Sequence, residues 1–411
     1  MTERFDIVIS GASFAGAALA RALLSAFPGE VRIAIVDRTR RDASPRPDAR
    51  AFALSAGSRR MLDTLGIWST IADKAQPVTE IEITDSSLAA GIRPVLLKYD
   101  NHVEEDGTPA SFIVPAPALE QALFEGIATA PGLTLLAPDE IEHFADEGDG
   151  TAIDLRGGAR LKASLLVGAE GRRSASRDDA GIKTIGWRYG QTAIVTTIAH
   201  ERPHDGRAIQ HFLPAGPFAI LPLPGDRACL TWTEDAAEAS RILTLDDPGF
   251  QTEVDARVAG RLGAVEVVGP RQSWPLEMHL ARAYVSPRFA LVGDAAHGVH
   301  PIAGQGVNLA FRDIAALSEI IADTLRLGLD PGSMESLGRY EKWRRFDSFL
   351  SAAAFDGLNK LFSNDSTLLR AARDFGLGVV DRLPAVKRRL VAEAAGLAGD
   401  DLPRLFRSER L

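Results

Sequence analysis

An acidic residue follows a short apolar run in the second half of the chain. Residues 289–292 have the fully apolar character of a buried parallel strand, and Asp294 lies just beyond them. Open α/β sheets bind their ligands at the carboxyl ends of such strands. There the Asp294 carboxylate can accept hydrogen bonds from sugar or ribityl hydroxyls, which suits a bound flavin. Aspartate after a strand is also ordinary loop chemistry, so this stretch alone leaves both interpretations open.

A glycine-rich turn and a long helix come next. Gly304, Gln305 and Gly306 lead into apolar residues at helical spacing, which predicts a helix over Gly306–Arg326. The first amides of a helix have no partner within it, and they carry the positive end of the helix dipole. We therefore expect this helix start to stabilise an anion that forms in the ligand.

The amino-terminal residues predict a βαβ unit. Residues 5–10 form an apolar run, Gly11 and Gly16 frame the turn into a helix, and a second apolar run ends in Asp37. Gly11 permits the tight turn and Gly16 permits close packing of helix and strand. A pyrophosphate then lies on the helix start, and Asp37 takes ribose hydroxyls. Ser13 replaces the usual middle glycine, so the match to this fingerprint is imperfect.

The acid at the end of the second strand also bears on the kind of nucleotide. Asp37 in place of an arginine argues against a ribose 2′-phosphate. Arg38 is counted among the candidate cofactor contacts, although a charged residue there equally fits a solvated position.

The composition is that of an ordinary globular chain with a large core. The chain has 411 residues, of which 45% are hydrophobic and 25% charged, and two or more lobes are expected. The net charge of −9 gives no reason to expect nucleic-acid binding. The single cysteine, Cys229, excludes an internal disulfide and a cysteine-based zinc site. His297 and His300 fit loop residues better than ligands, so no metal is expected.

The amino-terminal run superficially resembles a secretory leader. Glu3, Asp6 and Arg21 interrupt it with charge, which argues against both a signal peptide and a membrane span. We expect a cytoplasmic protein.

The order of the predicted elements indicates an α/β nucleotide-binding domain interrupted by a strand-rich insertion. The predicted parts are residues 1–75, 105–180 and 275–337 for the nucleotide-binding domain, 76–104 and 181–274 for the inserted sheet domain, and 338–411 for a helical carboxyl-terminal region.

Three stretches resemble the three FAD motifs of the single-component flavoprotein aromatic hydroxylases (class A flavoprotein monooxygenases), in the same order and spacing. They are residues 11–16 (GASFAG), 168–174 (GAEGRRS) and 293–297 (GDAAH). Within that family, residues 50–66, residues 300–313 (HPIAGQGVNLAFRD) and the tail most resemble the ubiquinone-biosynthesis hydroxylases. The likeness covers nearly the full length. It implies a Rossmann-like FAD-binding domain of the para-hydroxybenzoate-hydroxylase type, an inserted β-sheet substrate domain and a helical carboxyl-terminal region.

The resemblance also implies roles for individual residues. It assigns the ADP half of FAD to Gly11, Ser13, Gly16 and Asp37. Arg50 would approach the cofactor and Asp294 would hold its ribityl chain. The residues implied to border the flavin ring are Pro301, Gly304, Gln305, Gly306, Val307 and Asn308, and the first four of these are the candidate catalytic positions.

The middle motif departs from the family pattern. The family usually has an aspartate where this chain has Glu170, at a point thought to serve both FAD and the incoming nicotinamide nucleotide. Glu170 is therefore a candidate cofactor contact whose longer side chain puts reductant binding in doubt.

The activity that the resemblance implies is an NAD(P)H- and O2-dependent ring hydroxylation. Reduced flavin adds oxygen to give a C4a-hydroperoxide, which transfers its distal oxygen to an electron-rich ring. Water must be excluded from such a site. Candidates for the cover, or for plain core, are Phe212, Phe218, Ile220, Leu221, Leu223 and Trp232. His211 could act as a base, but a lone histidine is more often structural, so it is assigned no role.

The implied substrate is a polyprenylated phenol, which resides in the bilayer. Lys387, Arg388 and Arg389 could meet anionic lipid, although a solvated helix face explains them equally well. A peripheral position at the inner membrane and an assembly with other ubiquinone-biosynthesis proteins follow as expectations. The alternatives are a hydroxylase of a soluble phenol, an FAD-dependent reductase of isoprenoid lipids, and a flavin-binding assembly component without turnover.

Overall fold

A computed structural model describes residues 3–39, 47–85, 95–103, 107–300, 304–362, 383–399 and 401–411. Within these residues the strands are β1 (Glu3–Ser10), β2 (Ile33–Val36), β3 (Ala51–Ser55), β4 (Gln76–Val78), β5 (Glu80–Asp85), β6 (Val95–Asp100), β7 (Ser111–Pro115), β8 (Leu133–Leu136), β9 (Ile141–Asp146), β10 (Thr151–Leu155), β11 (Arg160–Gly168), β12 (Thr184–His200), β13 (Arg207–Leu213), β14 (Gly216–Leu223), β15 (Arg227–Asp235), β16 (Val265–Val267), β17 (Gln272–Ala281), β18 (Val285–Ser286), β19 (Phe289–Leu291) and β20 (His297–Gly298).

The helices in the same residues are α1 (Phe14–Ala26), α2 (Ala56–Thr64), α3 (Ala116–Ala128), α4 (Ala175–Asp179), α5 (Ala236–Leu243), α6 (Asp247–Val258), α7 (Gly306–Arg326), α8 (Met334–Phe362) and α9 (Pro384–Ala394). Short 3-10 turns cover Trp68–Thr70, Ala72–Lys74, Gly293–Ala295 and Arg404–Arg407. The predicted helix over Gly306–Arg326 is confirmed.

The first sheet has the strand order β18, β19, β11, β1, β2, β8, with β10 and β9 added in an antiparallel hairpin beside β11. Strands β19, β11, β1, β2 and β8 run parallel, so their carboxyl ends meet at one edge. Ile7, Val8 and Ile9 of β1 are buried, as both faces of such a sheet must be. The predicted βαβ unit and the predicted parallel strand before Asp294 are confirmed.

The second sheet is built mainly from antiparallel strands, in the order β20, β17, β12, β15, β14, β13, β5, β6. One face packs on α5 and α6 through a core that includes Phe218, Ile220, Trp232 and Phe250. Side chains alternate between the two faces of a strand, so the neighbouring residues in sequence face the other way. Phe218, Ile220 and Trp232 are therefore core residues and do not cover the site, whereas Phe212 and Leu221 line the cavity described below.

A third sheet of β3, β7 and β4 joins the two larger ones. Two predicted domain boundaries fall inside elements. The boundary at residue 275 lies within β17, which pairs with β12 over its whole length, and β20 also belongs to the second sheet. The boundary at residue 338 lies within α8. The division into domains at those residues stays a prediction.

The end of the chain packs back on the first domain. Phe406, in the turn Arg404–Arg407, is fully buried and lies beside α2 and α7. Arg404 forms an ion pair with Asp323 of α7 at 2.8 Å. Among the described helices, none is both long enough and apolar enough to cross a bilayer.

Candidate functional site

A cavity of about 2520 Å³ runs from the carboxyl edge of the first sheet to one face of the second sheet. It brings together nearly all the residues that the sequence singled out. Those that line it are Gly11, Ser13, Asp37, Arg38, Arg50, Glu170, Asp294, Gly304, Gln305, Gly306, Val307 and Asn308. Gly16 lies behind the lining, and Pro301 lies outside the described residues.

The start of α1 forms one end of the cavity. Gly11 has φ of +102°, and a Cβ there would lie 2.6 Å from the Ala169 carbonyl oxygen. A Cβ on Gly16 would lie 1.9 Å from the Gly11 carbonyl oxygen, so the helix packs against the turn that precedes it. No side chain caps α1 at Ser13. Its first-turn amides are thus available to an anionic ligand, as the fingerprint predicts.

Asp37 is the carboxylate at this end of the cavity. It is only 8% exposed and accepts hydrogen bonds from the backbone amides of Ala12, at 2.6 Å, and Thr39, at 2.7 Å. These two bonds fix the carboxylate between the first turn and the loop after β2. Asp37 also lines the cavity, where a ribose hydroxyl can donate to its carboxylate.

The Glu170 carboxylate turns towards serine side chains. It accepts from the hydroxyls of Ser10 and Ser176, both at 2.6 Å, and from the hydroxyl of Ser174. The Ser176 amide donates to it as well, at 3.2 Å. Glu170 thus ties the end of β1 to the amino terminus of α4. Ser174 and Ser176 follow Glu170 closely in sequence and were a signal for this arrangement. The sequence alone did not show that they and Ser10 surround one carboxylate.

Asp294 faces an arginine that the sequence analysis did not assign. Its carboxylate accepts from Nε of Arg172 at 3.2 Å, and both side chains are partly exposed to the cavity. Arg172 lies in the middle motif, so the signal was present in the sequence. The pair places one charge of each sign where strands β11 and β19 end.

The start of α7 borders the cavity beside Asp294. No side chain caps this helix at Gln305, so the amides of Gly306, Val307 and Asn308 remain available to a ligand. The Asn308 side chain is occupied: its Oδ1 accepts from the Ser55 amide and the Ser58 hydroxyl at 2.9 and 2.8 Å, and its Nδ2 donates to the Ala53 carbonyl at 2.8 Å. Asn308 therefore offers the ligand its backbone, while its side chain fastens β3 to α7.

A buried charge cluster holds α7 from behind. Asp313 accepts from Nε2 of His297 at 2.5 Å, from the Gly293 amide at 3.0 Å and from Nε of Arg344 at 2.9 Å. Burial alone lowers the pKa of His297, but the charge and hydrogen bond of Asp313 outweigh it and hold that pKa above 6.5. Burial raises the pKa of Asp313, but His297 and Arg344 bring it below its ordinary value.

The sequence did not lead us to predict this cluster. Asp313 lies on the apolar face of the amphipathic helix α7, and that position was the signal that could have indicated it. His297 is thereby placed in a structural ion pair. His300 lies against the ring of Tyr189, with ring centres 5.0 Å apart, and burial lowers its pKa to about 4. Among the described residues, no cluster of three or more His, Cys, Asp or Glu side chains is placed to hold a metal ion.

Arg50 lies where the part of the cavity beside α1 and α7 meets the second sheet. Its guanidinium donates to both oxygens of Asp48, at 2.7 to 3.1 Å, and lies 5.1 Å from the ring centre of Trp274 and 5.5 Å from that of Phe52. The side chain is therefore held by an ion pair and two aromatic rings. Trp274 had not been singled out in the sequence.

The far half of the cavity is apolar. It lies between the second sheet and the carboxyl-terminal half of α8, which contributes Leu350, Phe355 and Leu358 to the lining. His211 is not one of the described lining residues, and its Nδ1 lies 2.5 Å from the Thr84 hydroxyl. This geometry offers His211 no access to a ligand in the cavity.

The pattern of strand ends, uncapped helix starts and an adjoining sheet matches a known family. The family model that describes the FAD binding domain matches residues 4–345 of this sequence. The chain belongs to this family. The resemblance to the class A flavoprotein hydroxylases is thus confirmed, and the chain is an FAD-dependent monooxygenase.

Relatives and solved structures agree with this assignment. The chain is 42% identical over 408 residues to the ubiquinone hydroxylase UbiL of Rhodospirillum rubrum, covering 98% of this chain and 92% of the relative. It is 31% identical over 398 residues to the 3-demethoxyubiquinol 3-hydroxylase of Escherichia coli, covering 95% and 98%. The p-nitrophenol 4-monooxygenase PnpA of Pseudomonas putida shares the fold, with a TM-score of 0.80 at 18% identity, covering 98% and 100%.

The residues present fit FAD. Two uncapped helix starts, α1 and α7, lie on one cavity with the carboxylates of Asp37 and Asp294. A dinucleotide with a pyrophosphate, two polyol parts and a ring that becomes anionic on reduction needs donors and acceptors of these kinds.

Proposed function

We propose that this monooxygenase hydroxylates the aromatic ring of a polyprenylated phenol in ubiquinone biosynthesis, with NAD(P)H as the reductant and O2 as the oxygen source. The observation that carries the proposal is the apolar half of the cavity. It continues from the cofactor residues to leucines of α8 that are themselves exposed at the protein surface, Leu350, Leu358 and Leu361. A ring with a long isoprenoid chain needs a site that is open at an apolar end. The named activities of the two relatives above support the same substrate class.

The proposed roles of the cofactor residues follow from their positions. The amides at the start of α1 bind the pyrophosphate, with Gly11, Ser13 and Gly16 allowing the approach, and Asp37 binds the ribose. Asp294, paired with Arg172, binds the ribityl hydroxyls. The amides of Gly306, Val307 and Asn308 would hold the ring end of the cofactor, where the start of α7 would favour negative charge.

Bound FAD supplies the activation of O2 and the transfer of one oxygen atom to the substrate ring. The chain contributes the position of the ring and a dry surrounding. Phe212, Leu221 and Phe355 line the substrate half of the cavity and exclude water from it.

The direct test is the product of the purified enzyme. With a farnesyl-substituted phenol, NADH or NADPH and ¹⁸O2, we expect a hydroxylated ring that carries one ¹⁸O atom by mass spectrometry. Deletion of the gene in its host should cause a quinone precursor to accumulate. An unchanged quinone pool would refute the proposal.

The same experiment distinguishes the alternatives. A reductase of isoprenoid lipids would consume no O2 and would saturate a double bond. A hydroxylase of soluble phenols would turn over phenol and the farnesyl phenol with similar KM values. A flavin-binding protein without turnover would show no bleaching of bound FAD by NADH or NADPH under anaerobic conditions.

We also infer a transient contact with the membrane surface. Phe346, Phe349 and Leu350 of α8 are 72%, 57% and 58% exposed, and Leu350 lines the cavity as well. Arg388 and Arg389 of α9 are exposed, and the end of α9 borders the same cavity. Apolar side chains with basic residues nearby suit an anionic bilayer. The Lys387 side chain lies outside the described residues.

A further inference from the structure

A row of side chains crosses the second sheet on its cavity face. Residues that pair across neighbouring strands lie side by side on one face of a sheet. The register places six such residues in line, and all six line the cavity: Leu97, Ile83, Gln210, Ala219, Thr231 and Val195.

Gln210 is the member of this row that has a side-chain amide. Its direct neighbours are apolar, Ile83 on β5 and Ala219 on β14. Its Nε2 is shielded from solvent and has no hydrogen-bond partner among the described residues. Thr231 is the other polar member of the row, and it lies two residues from the buried Cys229 on β15. Buried amides are almost always paired in folded proteins, and Gln210 lines the cavity, so a ligand there can supply the partner that its side chain lacks among the described residues.

The chemistry of the cavity indicates what that partner is. The described lining residues include neither histidine nor lysine, so a phenol entering the substrate half meets neither of these bases there. A primary amide has both donors and an acceptor, and it can be turned so that either faces the ligand. A phenolic hydroxyl, which both donates and accepts, is its complement.

We propose that Gln210 binds the ring hydroxyl of the phenolic substrate, an inference that rests on the proposed function. The isoprenoid chain is drawn towards Leu350 and Leu358 of α8, and the hydroxyl is held on β13. Two fixed points determine how the ring is rotated in its plane. Gln210 is thereby a substrate-binding residue that selects the ring carbon presented to the flavin.

The test compares two ligands in two proteins. A farnesyl-substituted phenol and the same arene without the hydroxyl are titrated into holoenzyme, with the absorbance of bound FAD as the signal. Wild type should bind the phenol about 5- to 20-fold more tightly than the arene, the worth of one hydrogen bond in an apolar site. Gln210→Met, which keeps the length of the side chain, should bind the two ligands equally well.

Gln76→Leu and Gln76→Met are the matched controls, because the Gln76 amide donates to the Pro77 carbonyl and Gln76 does not line the cavity. Both should keep the wild-type ratio. A Gln210→Met or Gln210→Leu protein that keeps this ratio overturns the proposal. A wild type that binds the arene as tightly as the phenol also overturns it, even if neither variant folds.

The distribution of hydroxylated products provides a second test of the proposal. Wild type should yield one hydroxylated isomer, and Gln210→Met should yield a mixture together with more H2O2. A single unchanged isomer from the variant would overturn the orienting role. If wild type neither binds nor hydroxylates the farnesyl phenol, the proposed function itself fails, which is a different outcome from an unchanged ratio.

Discussion

Asp37 and Glu170 both follow strands of the first sheet, but their carboxylates have different surroundings. Asp37 accepts from two backbone amides and faces the cavity, whereas Glu170 accepts from three serine hydroxyls and the Ser176 amide. A carboxylate that is already occupied by the protein is a poor ligand for a cofactor. The two acids should therefore respond differently to substitution.

Asp37→Ala should weaken FAD binding by about 10- to 100-fold, because hydrogen bonds to a charged group are among the stronger ones. The substitution also releases the Ala12 and Thr39 amides. Titration of apoprotein with FAD, followed by flavin fluorescence, measures the change. Asp73→Ala, at an exposed site, is the control, and an unaltered FAD affinity in Asp37→Ala would show that this carboxylate does not contact the cofactor.

Glu170→Gln should lower the free energy of unfolding by about 2–3 kcal/mol, because a neutral amide cannot accept from all four donors. We expect the KM for NADH or NADPH to stay within about twofold of wild type, since the carboxylate faces serines. Urea unfolding and steady-state kinetics measure the two quantities. Glu142→Gln is the exposed control. A large rise in KM with unchanged stability would instead make Glu170 a nicotinamide contact.

At the scale of elements, α7 both borders the cavity and forms part of the buried charge cluster. Its amino terminus faces the cavity, and its buried Asp313 binds His297 of β20 and Arg344 of α8. The helix thus joins the loop that follows β19 to the carboxyl-terminal helices. The position of the amides at the start of α7 depends on this cluster.

The cluster should make stability depend on pH. The folded pKa of His297 lies above its unfolded value, so its contribution is complete below about pH 6.5 and is lost as pH rises through the folded pKa. The folded pKa of Asp313 is lowered, so its contribution is complete above its ordinary pKa and is lost only as pH falls through the lowered value.

Wild type should lose stability as pH rises, in part because His297 loses its proton. His297→Gln should lose less stability over the same pH range. Urea unfolding of holoprotein at about pH 6 and about pH 9 measures it, with the exposed His102→Gln as a control that keeps the wild-type loss. Equal pH dependence in His297→Gln and wild type would contradict the predicted protonation of His297. Asp313→Asn should cost about 3–5 kcal/mol, because it removes one of the two described carboxylates that pair with the buried Arg344, and the one of them that is buried completely with it.

At the scale of the whole molecule, the apolar surface of α8 continues the apolar half of the cavity. Truncation after Leu383 would test the role of α9, but it would also remove Phe406 from the core beside α2. Point substitutions on α8 avoid that loss.

The double variant Phe346→Ser and Phe349→Ser should lower partitioning onto anionic liposomes by at least about tenfold, because two exposed phenyl rings no longer enter the bilayer. Co-sedimentation measures it, and turnover of a soluble short-chain phenol should be unchanged. Leu327→Ser with Leu329→Ser, at equally exposed positions after α7, is the control. Undiminished sedimentation of the α8 variant would show that another surface meets the membrane.

Much of the nucleotide-binding part could be predicted because its signals are local. Gly11, Gly16 and Asp37 have a fixed spacing along the chain, and the period of the α7 residues shows both its extent and its buried face. The serines around Glu170, the Arg172 partner of Asp294 and the Arg344 partner of Asp313 could not be predicted, because no spacing within one segment encodes them.

The sequence by itself determined the βαβ unit, the strand before Asp294, the bounds of α7 and the FAD family, since each depends on neighbours in the chain or on the order of motifs. Only the tertiary structure decided which face of the second sheet borders the cavity. That choice placed Phe218 and Trp232 in the core and Gln210 on the cavity. Alternation assigns residues to two faces, but only the packing of α5 and α6 on one of them leaves the other for the ligand.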